Sequence, residues 1–184
     1  MYQTQTVTPA IGWNFAPSIL VMLVSLAALY GYLISLARKD GHWGKEVRGR
    51  HVAFFAAGLS IIFIALVSPL DALSNAALFS AHMTQHLLLL LLASAFLLLG
   101  IPGYWIHYLY GLPVLRRILP IITHPVFTLL AFNLIMWGWH LPNFYQAALT
   151  DANVHVLEHM TFLAAGMLMW LPVIHDAPPQ HPLS

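Results

Sequence analysis

Long apolar stretches separated by short polar segments dominate this chain. Formally charged residues are absent from 51–70, 72–115 and 118–150, and a helix that crosses a bilayer needs about 20 mostly apolar residues. Five segments come close to that length or reach it: 19–37, 51–70, 82–99, 118–139 and 153–174. These runs are too long for transmembrane β-strands and do not alternate between apolar and polar residues. The pattern predicts an all-α, polytopic transmembrane helix bundle of about five spans, formed by residues 1–184 as a single domain.

The composition supports a membrane protein and excludes several other classes. Only 7% of the residues are charged and 60% are hydrophobic, whereas a soluble domain carries about 25% charged residues. So few charges cannot cover a soluble surface, which excludes a soluble globular protein, a disordered chain and a nucleic-acid binder. We expect the lipid bilayer to surround the chain. The absence of cysteine excludes disulfides, thiolate metal sites and thiol catalysis.

Lysine and arginine fall on one side of the predicted bundle. All seven lie either between the first and second spans or just before the fourth: Arg38, Lys39, Lys45, Arg48, Arg50, Arg116 and Arg117. Loops rich in these residues stay in the cytoplasm. The charge pattern therefore predicts an N-terminus outside the membrane and a cytoplasmic C-terminus.

Two local signals refine the predicted helix ends. Asp151 precedes the fifth apolar run, and a short acidic side chain at that position is typical of a helix N-cap. His124-Pro125 predicts a bend within the fourth span, because proline interrupts helical hydrogen bonding.

Histidine is frequent, with 11 residues against seven basic and six acidic ones. Five of them fall at the outer ends of three predicted spans, and we call these the five-histidine set: His82, His86, His140, His155 and His159. A single imidazole in a membrane is commonly hydrogen-bonded between helices. That explanation does not account for five imidazoles at one predicted depth.

The spacing within the set favours a metal site. His82 and His86 are four residues apart, as are His155 and His159, so both rings of each pair lie on one helix face, about 6 Å apart along the axis. Neutral imidazole binds copper, zinc, iron and nickel. The set therefore predicts either one metal site with supporting histidines or two adjacent sites.

Four further residues near the set have suitable chemistry. Asp71 and Glu158 carry carboxylates that can accept a ring N–H from a ligating imidazole, although Asp71 is also a candidate helix cap. Met83 and Met160 adjoin the histidine pairs. Thioether sulfur favours Cu(I), and the alternative for both methionines is ordinary packing.

Three functions fit the pattern. The set could bind copper for delivery, or facing histidines could bind haem as a bis-His pair. The third is an intramembrane zinc protease, because His155-Val-Leu-Glu-His159 matches H-x-x-E-H with the glutamate as general base. The paired spacing argues against haem, since two haems need histidines much further apart along each helix. The protease pattern lacks its downstream carboxylate, because Asp176 falls on the inner side.

Several motifs together resemble a known family. They are Ser68-Pro-Leu-Asp71, His82-Met-Thr-Gln-His86, Trp139-His-Leu-Pro142 and His155-Val-Leu-Glu-His159. Their order and content resemble the polytopic CtaG family of cytochrome c oxidase assembly factors, and the similarity covers about 47–173.

The resemblance implies a function and a set of partners. It implies a non-enzymatic role in forming the active-site copper centre of a haem–copper oxidase, in the bacterial inner membrane. On that basis copper is the expected ligand of the five-histidine set, with Asp71 and Glu158 nearby. The expected partners are an apo-oxidase subunit and a periplasmic copper donor.

Overall fold

The protein forms helices throughout the part of the chain described by the computed structural model, which comprises residues 12–39, 47–75 and 78–175. The helices are α1 (Pro17–Lys39), α2 (Gly49–Val67), α3 (Pro69–Asn75), α4 (Phe79–Leu87), α5 (Ser94–Leu99), α6 (Gly103–Gly111), α7 (Pro113–Ile122), α8 (Pro125–Trp139), α9 (Pro142–Thr150) and α10 (Ala152–Ile174). A π-helical stretch, Leu88–Ala93, joins α4 to α5 into one continuous helix. Within these residues there is no β-strand, and the predicted all-α fold is confirmed.

Four helices in the described part are long and apolar enough to cross a membrane. They are Pro17–Lys39, Gly49–Val67, Phe79–Leu99 and Ala152–Ile174, and they match four of the five predicted spans within a few residues. The predicted multi-pass membrane architecture is confirmed. The orientation of the termini stays a prediction.

The fourth predicted span is not one straight helix. α7 and α8 meet at an angle of 70°, and the pair makes a fifth crossing only if both helices count as one broken span. The break lies at the predicted bend, because Pro125 disfavours helical backbone at the residue before it. His124 is accordingly extended, with φ −62° and ψ 130°. Its ring Nδ1 accepts a hydrogen bond from Val126 N at 3.3 Å and so caps α8.

The centre of the bundle lies between α2, the third span (Phe79–Leu99) and α10. Ile62 and Ala65 of α2 pack against Leu89 and Ala93 of the third span, while Leu90 of that span packs against Phe162 of α10. α1 lies against α2 on one flank, and α8 lies against α10 on the other. The two helices that carry the paired histidines are therefore neighbours in the core.

The third span and α10 approach closely at the π-helical stretch. Gly166 faces the Leu90 carbonyl so closely that a β-carbon would collide with it. A π-helical turn disturbs the usual hydrogen-bond ladder, and side chains satisfy two of its carbonyls. Ser94 Oγ donates to Leu90 O at 2.5 Å, and Trp170 Nε1 of α10 donates to Leu91 O at 3.0 Å. This crossing fixes the separation of the two histidine-bearing helices.

Candidate metal centre

The structure brings the five-histidine set together. Within the pairs, the ring centroids of His82 and His86 are 4.1 Å apart and those of His155 and His159 are 4.3 Å apart. Between helices, His86 lies 5.5 Å from His159 and His82 lies 6.4 Å from His155. These four imidazoles close a ring of contacts between the third span and α10. His140 joins it from the end of α8, with its ring centroid 6.1 Å from that of His86.

Local sequence explains how each imidazole reaches this point. The i,i+4 spacing aligns each pair along one helix face, and the crossing at Gly166 turns the two faces toward each other. Asp151 caps α10 as predicted, since its Oδ1 accepts from Asn153 N at 2.8 Å and Val154 N at 3.4 Å. α8 ends at Trp139, and His140 follows as its C-cap residue. All three chain segments thus present histidine at the same end of the bundle.

The centre of the set is buried and short of hydrogen-bond partners. His82 and His86 are each 2% exposed and His159 is 8% exposed. Among the described residues, His82 Nε2, both ring nitrogens of His86 and His159 Nε2 have no hydrogen-bond partner. An unsatisfied buried polar group costs about 1–3 kcal/mol, and several at one place indicate a ligand-binding site. A cation can accept one lone pair from each of these imidazoles, so the donor set fits a metal ion.

Glu158 belongs to the same centre more directly than its sequence position suggested. It is fully buried, and neither carboxylate oxygen has a hydrogen-bond partner in the described part of the chain. Its Oε1 lies 3.6 Å from His86 Nε2. One ligand atom from each of His82, His86 and Glu158 lies within 4.8 Å of the others. We predicted Glu158 as a partner for ligand N–H groups or as the general base of a protease, whereas its position also suits direct coordination.

Asp71 takes part in a polar network with Gln85 and Asn14. Its Oδ1 accepts from Gln85 Nε2 at 3.0 Å and its Oδ2 accepts from Asn14 Nδ2 at 2.8 Å. Gln85 Nε2 also donates to Ala65 O at 3.0 Å. These hydrogen bonds connect the chain ahead of α1 to the third span. Asp71 is the third residue of α3, so it lies inside that helix and is not its N-cap.

Two supporting residues were absent from the sequence prediction. Ser74 Oγ lies 3.3 Å from His82 Nδ1 and is 1% exposed. The Tyr145 ring stands edge-on to the His82 ring at a centroid distance of 5.6 Å. Ser74 lies only eight residues before His82, but their contact depends on α3, a short helix that no hydropathy pattern reveals.

The two methionines differ in position. Met83 Sδ lies 3.2 Å from His140 Nε2. Met160 is 48% exposed and lines the cavity described next. Ordinary surface packing therefore describes Met160, while Met83 touches the five-histidine set.

A cavity of about 560 Å³ lies beside the set. It opens between α1, α2 and the segment from α9 into α10, and most of its lining is apolar. Asp71, His155 and His159 contribute polar groups to its wall. Two of the five imidazoles are therefore reachable from the side of the bundle.

Comparison with known proteins connects this geometry to one family. A family model described as cytochrome c oxidase caa3 assembly factor (Caa3_CtaG) matches residues 28–184. The matched region contains every histidine of the set together with Asp71, Met83, Glu158 and Met160. No curated protein and no solved structure matches the chain.

Proposed function

This chain belongs to the family of cytochrome c oxidase caa3 assembly factors, and from that premise we propose that it binds copper and supplies it to an apo-oxidase subunit. The copper is destined for the active-site copper centre of a haem–copper oxidase. The observation that supports this most is the buried group of unpartnered donor atoms on His82, His86, His159 and Glu158. Copper is cargo here, so no bond of a substrate is made or broken and the role is not enzymatic.

The donor set suits copper that has to be released again. Imidazole nitrogen and carboxylate oxygen bind copper well, whereas thiolates, which hold copper more permanently, are absent because the chain has no cysteine. His155 and His159 border the lateral cavity. A recipient protein docked alongside could exchange its own ligands for these imidazoles without first exposing the ion to water.

The proposal also includes the side of the membrane on which the histidines lie. With all lysines and arginines on the cytoplasmic side, the five-histidine set lies at the outer face of the bacterial inner membrane. Copper then arrives from a periplasmic donor, and nearby fixed positive charge does not oppose its binding.

The two alternative functions fit the geometry less well. A haem between His82 and His155, or between His86 and His159, would overlap the second histidine of each pair, only 4.1 and 4.3 Å away. A protease mechanism needs Glu158 beside a water molecule and a peptide bond. Glu158 instead has no exposed surface and lies against His86.

Copper analysis of purified variants tests the proposal. We expect the wild-type protein to retain copper in stoichiometric amounts, and His82→Ala and His159→Ala to lose it, because each removes a central ligand. His124→Asn is the matched control, since His124 lies outside the set and asparagine preserves a helix cap. Elemental analysis gives the copper content, circular dichroism checks the helices, and an absorption spectrum reports any haem.

Unchanged copper in both alanine variants would contradict the proposal. A Soret band in the wild type would favour haem, and zinc together with peptidase activity would favour the protease.

A further inference from the structure

The contact between His140 and Met83 joins two side chains from different helices at the edge of the five-histidine set. His140 follows α8, and Met83 lies in α4 between His82 and His86. Met83 Sδ is 3.2 Å from His140 Nε2, and His140 Nδ1 is 2.6 Å from Met136 O. Each ring nitrogen of His140 therefore has one close neighbour.

The neighbour of Nδ1 determines the tautomer of a neutral His140. A carbonyl oxygen only accepts hydrogen bonds, so Nδ1 carries the proton and donates it to Met136 O. Nε2 then has a lone pair and no hydrogen. A thioether sulfur is also only an acceptor. With His140 neutral, as a metal ligand must be, the 3.2 Å contact brings two lone-pair donors together with no hydrogen between them, an arrangement that a hydrogen bond cannot explain.

A soft cation explains it. Thioether sulfur binds Cu(I) and has little affinity for zinc or other harder ions, while imidazole suits both. We propose that Met83 Sδ and His140 Nε2 form a Cu(I)-selective ligand pair at the edge of the five-histidine set. This inference rests on the proposed function, because it names the oxidation state that the copper site prefers.

The position of the pair suits an outer ligand pair rather than the central site. His82 and His86 are buried, whereas Met83 and His140 are only half-buried. His140 reaches the buried imidazoles through His86, whose ring centroid lies 6.1 Å away. The pair and the lateral cavity border different parts of the set, since the cavity is lined by His155 and His159. Cu(I) can therefore meet a sulfur-containing ligand pair before or after it occupies the buried imidazoles.

Parallel titrations with Cu(I) and Zn(II) test the pair on the full chain in detergent. We expect Met83→Leu to weaken Cu(I) binding by about tenfold or more, in the range seen when partners of metal ligands are removed, and to leave Zn(II) binding unchanged. Leucine has a similar volume, so packing is preserved. Met160→Leu is the matched control, because Met160 adjoins His159 in sequence but is 48% exposed. It should change neither affinity.

X-ray absorption at the copper edge gives an independent readout. Cu(I)-loaded wild type and Met160→Leu should show a sulfur neighbour, and Met83→Leu should show only nitrogen and oxygen. Equal Cu(I) affinity in both leucine variants, or no sulfur neighbour in the wild type, would overturn the pair while leaving copper binding by the histidines intact. Loss of both metals in Met83→Leu would assign Met83 to packing and overturn the selectivity. A wild type that binds no copper would overturn the proposed function as well.

Discussion

Glu158 places a carboxylate with no exposed surface against imidazoles, and it has no hydrogen-bond partner among the described residues. Such a group destabilises the metal-free protein and stabilises a bound cation, because its buried oxygens lack hydrogen-bond partners in one state and can bind the ion in the other. The residue thus links folding to metal binding.

Glu158→Gln tests this link with almost no change of shape. We expect copper affinity to fall by about 10–100-fold, and the metal-free variant to be at least as stable as the metal-free wild type, since an amide costs no more to bury than a carboxyl group does. Metal titration and detergent-induced unfolding measure the two effects. Asp151→Asn is the matched carboxylate-to-amide control, because asparagine also caps helices and position 151 lies outside the set. Lower stability of metal-free Glu158→Gln would contradict the prediction.

At this scale the sequence predicted which histidines meet, but not their surroundings. The i,i+4 pairs are visible because they depend only on helix periodicity. Glu158 also shares a helix face with His155 and Phe162, at spacings of three and four residues, so its central position could have been inferred. The contacts of Ser74 and Asn14 could not have been inferred in this way. They depend on how α3 and the residues ahead of α1 pack in the folded protein.

Among the helices, the crossing of α10 and the third span controls the distance between the two histidine pairs. It depends on Gly166, where a side chain would meet the Leu90 carbonyl. Backbone cannot move aside as a flexible side chain can, so even a methyl group has to push the helices apart.

Gly166→Ala therefore should destabilise the protein by about 1–3 kcal/mol and weaken copper binding, because the paired imidazoles separate. Gly138→Ala is the control within α8: nothing lies within 4 Å of an added β-carbon there, and alanine favours helix over glycine by about 1 kcal/mol. Detergent-induced unfolding and copper content measure both variants. Normal copper retention in Gly166→Ala would show that the crossing does not position the set.

The sequence predicted where helices form more accurately than how neighbouring helices are angled. Four spans match because a long apolar run reports the length of a helix directly. The fourth, predicted over 118–139, is divided by a 70° bend, and hydropathy carries no information about direction. The signal for the break was Pro125. α7 also carries Arg116 and Arg117 and has no buried residue, which is typical of a helix that lies along a surface.

At the scale of the whole molecule, the orientation in the membrane is a prediction from the distribution of lysine and arginine. The proposed function depends on it, because the five-histidine set meets copper outside the cytoplasm only if the lysine- and arginine-rich segments face inward. The amino-acid composition offers a direct test, since the chain has no cysteine to react in the background.

Single cysteines placed at exposed positions should report the orientation. We expect Asn143→Cys, at the histidine end, to react with a membrane-impermeant maleimide in intact cells. Gly111→Cys, next to α7, should react only after the membrane is opened. Both positions are exposed, and an added side chain at Gly111 meets nothing within 4 Å. The reverse labelling pattern would place the histidines in the cytoplasm and contradict copper uptake from the periplasm.

The π-helical stretch makes the length of the leucine run 87–92 as important as its hydrophobicity. A π-helical turn accommodates one residue more than an α-helical turn does. One residue corresponds to about 100° of rotation around an α-helix axis, so the same leucines wound as a plain α-helix would turn His82 and His86 away from α10 while the span stayed fully apolar. Two related chains could thus agree in every histidine and in overall hydropathy, yet differ in whether those histidines meet. In this helix, the number of residues per turn determines whether the histidines meet, and the polarity of the residues does not.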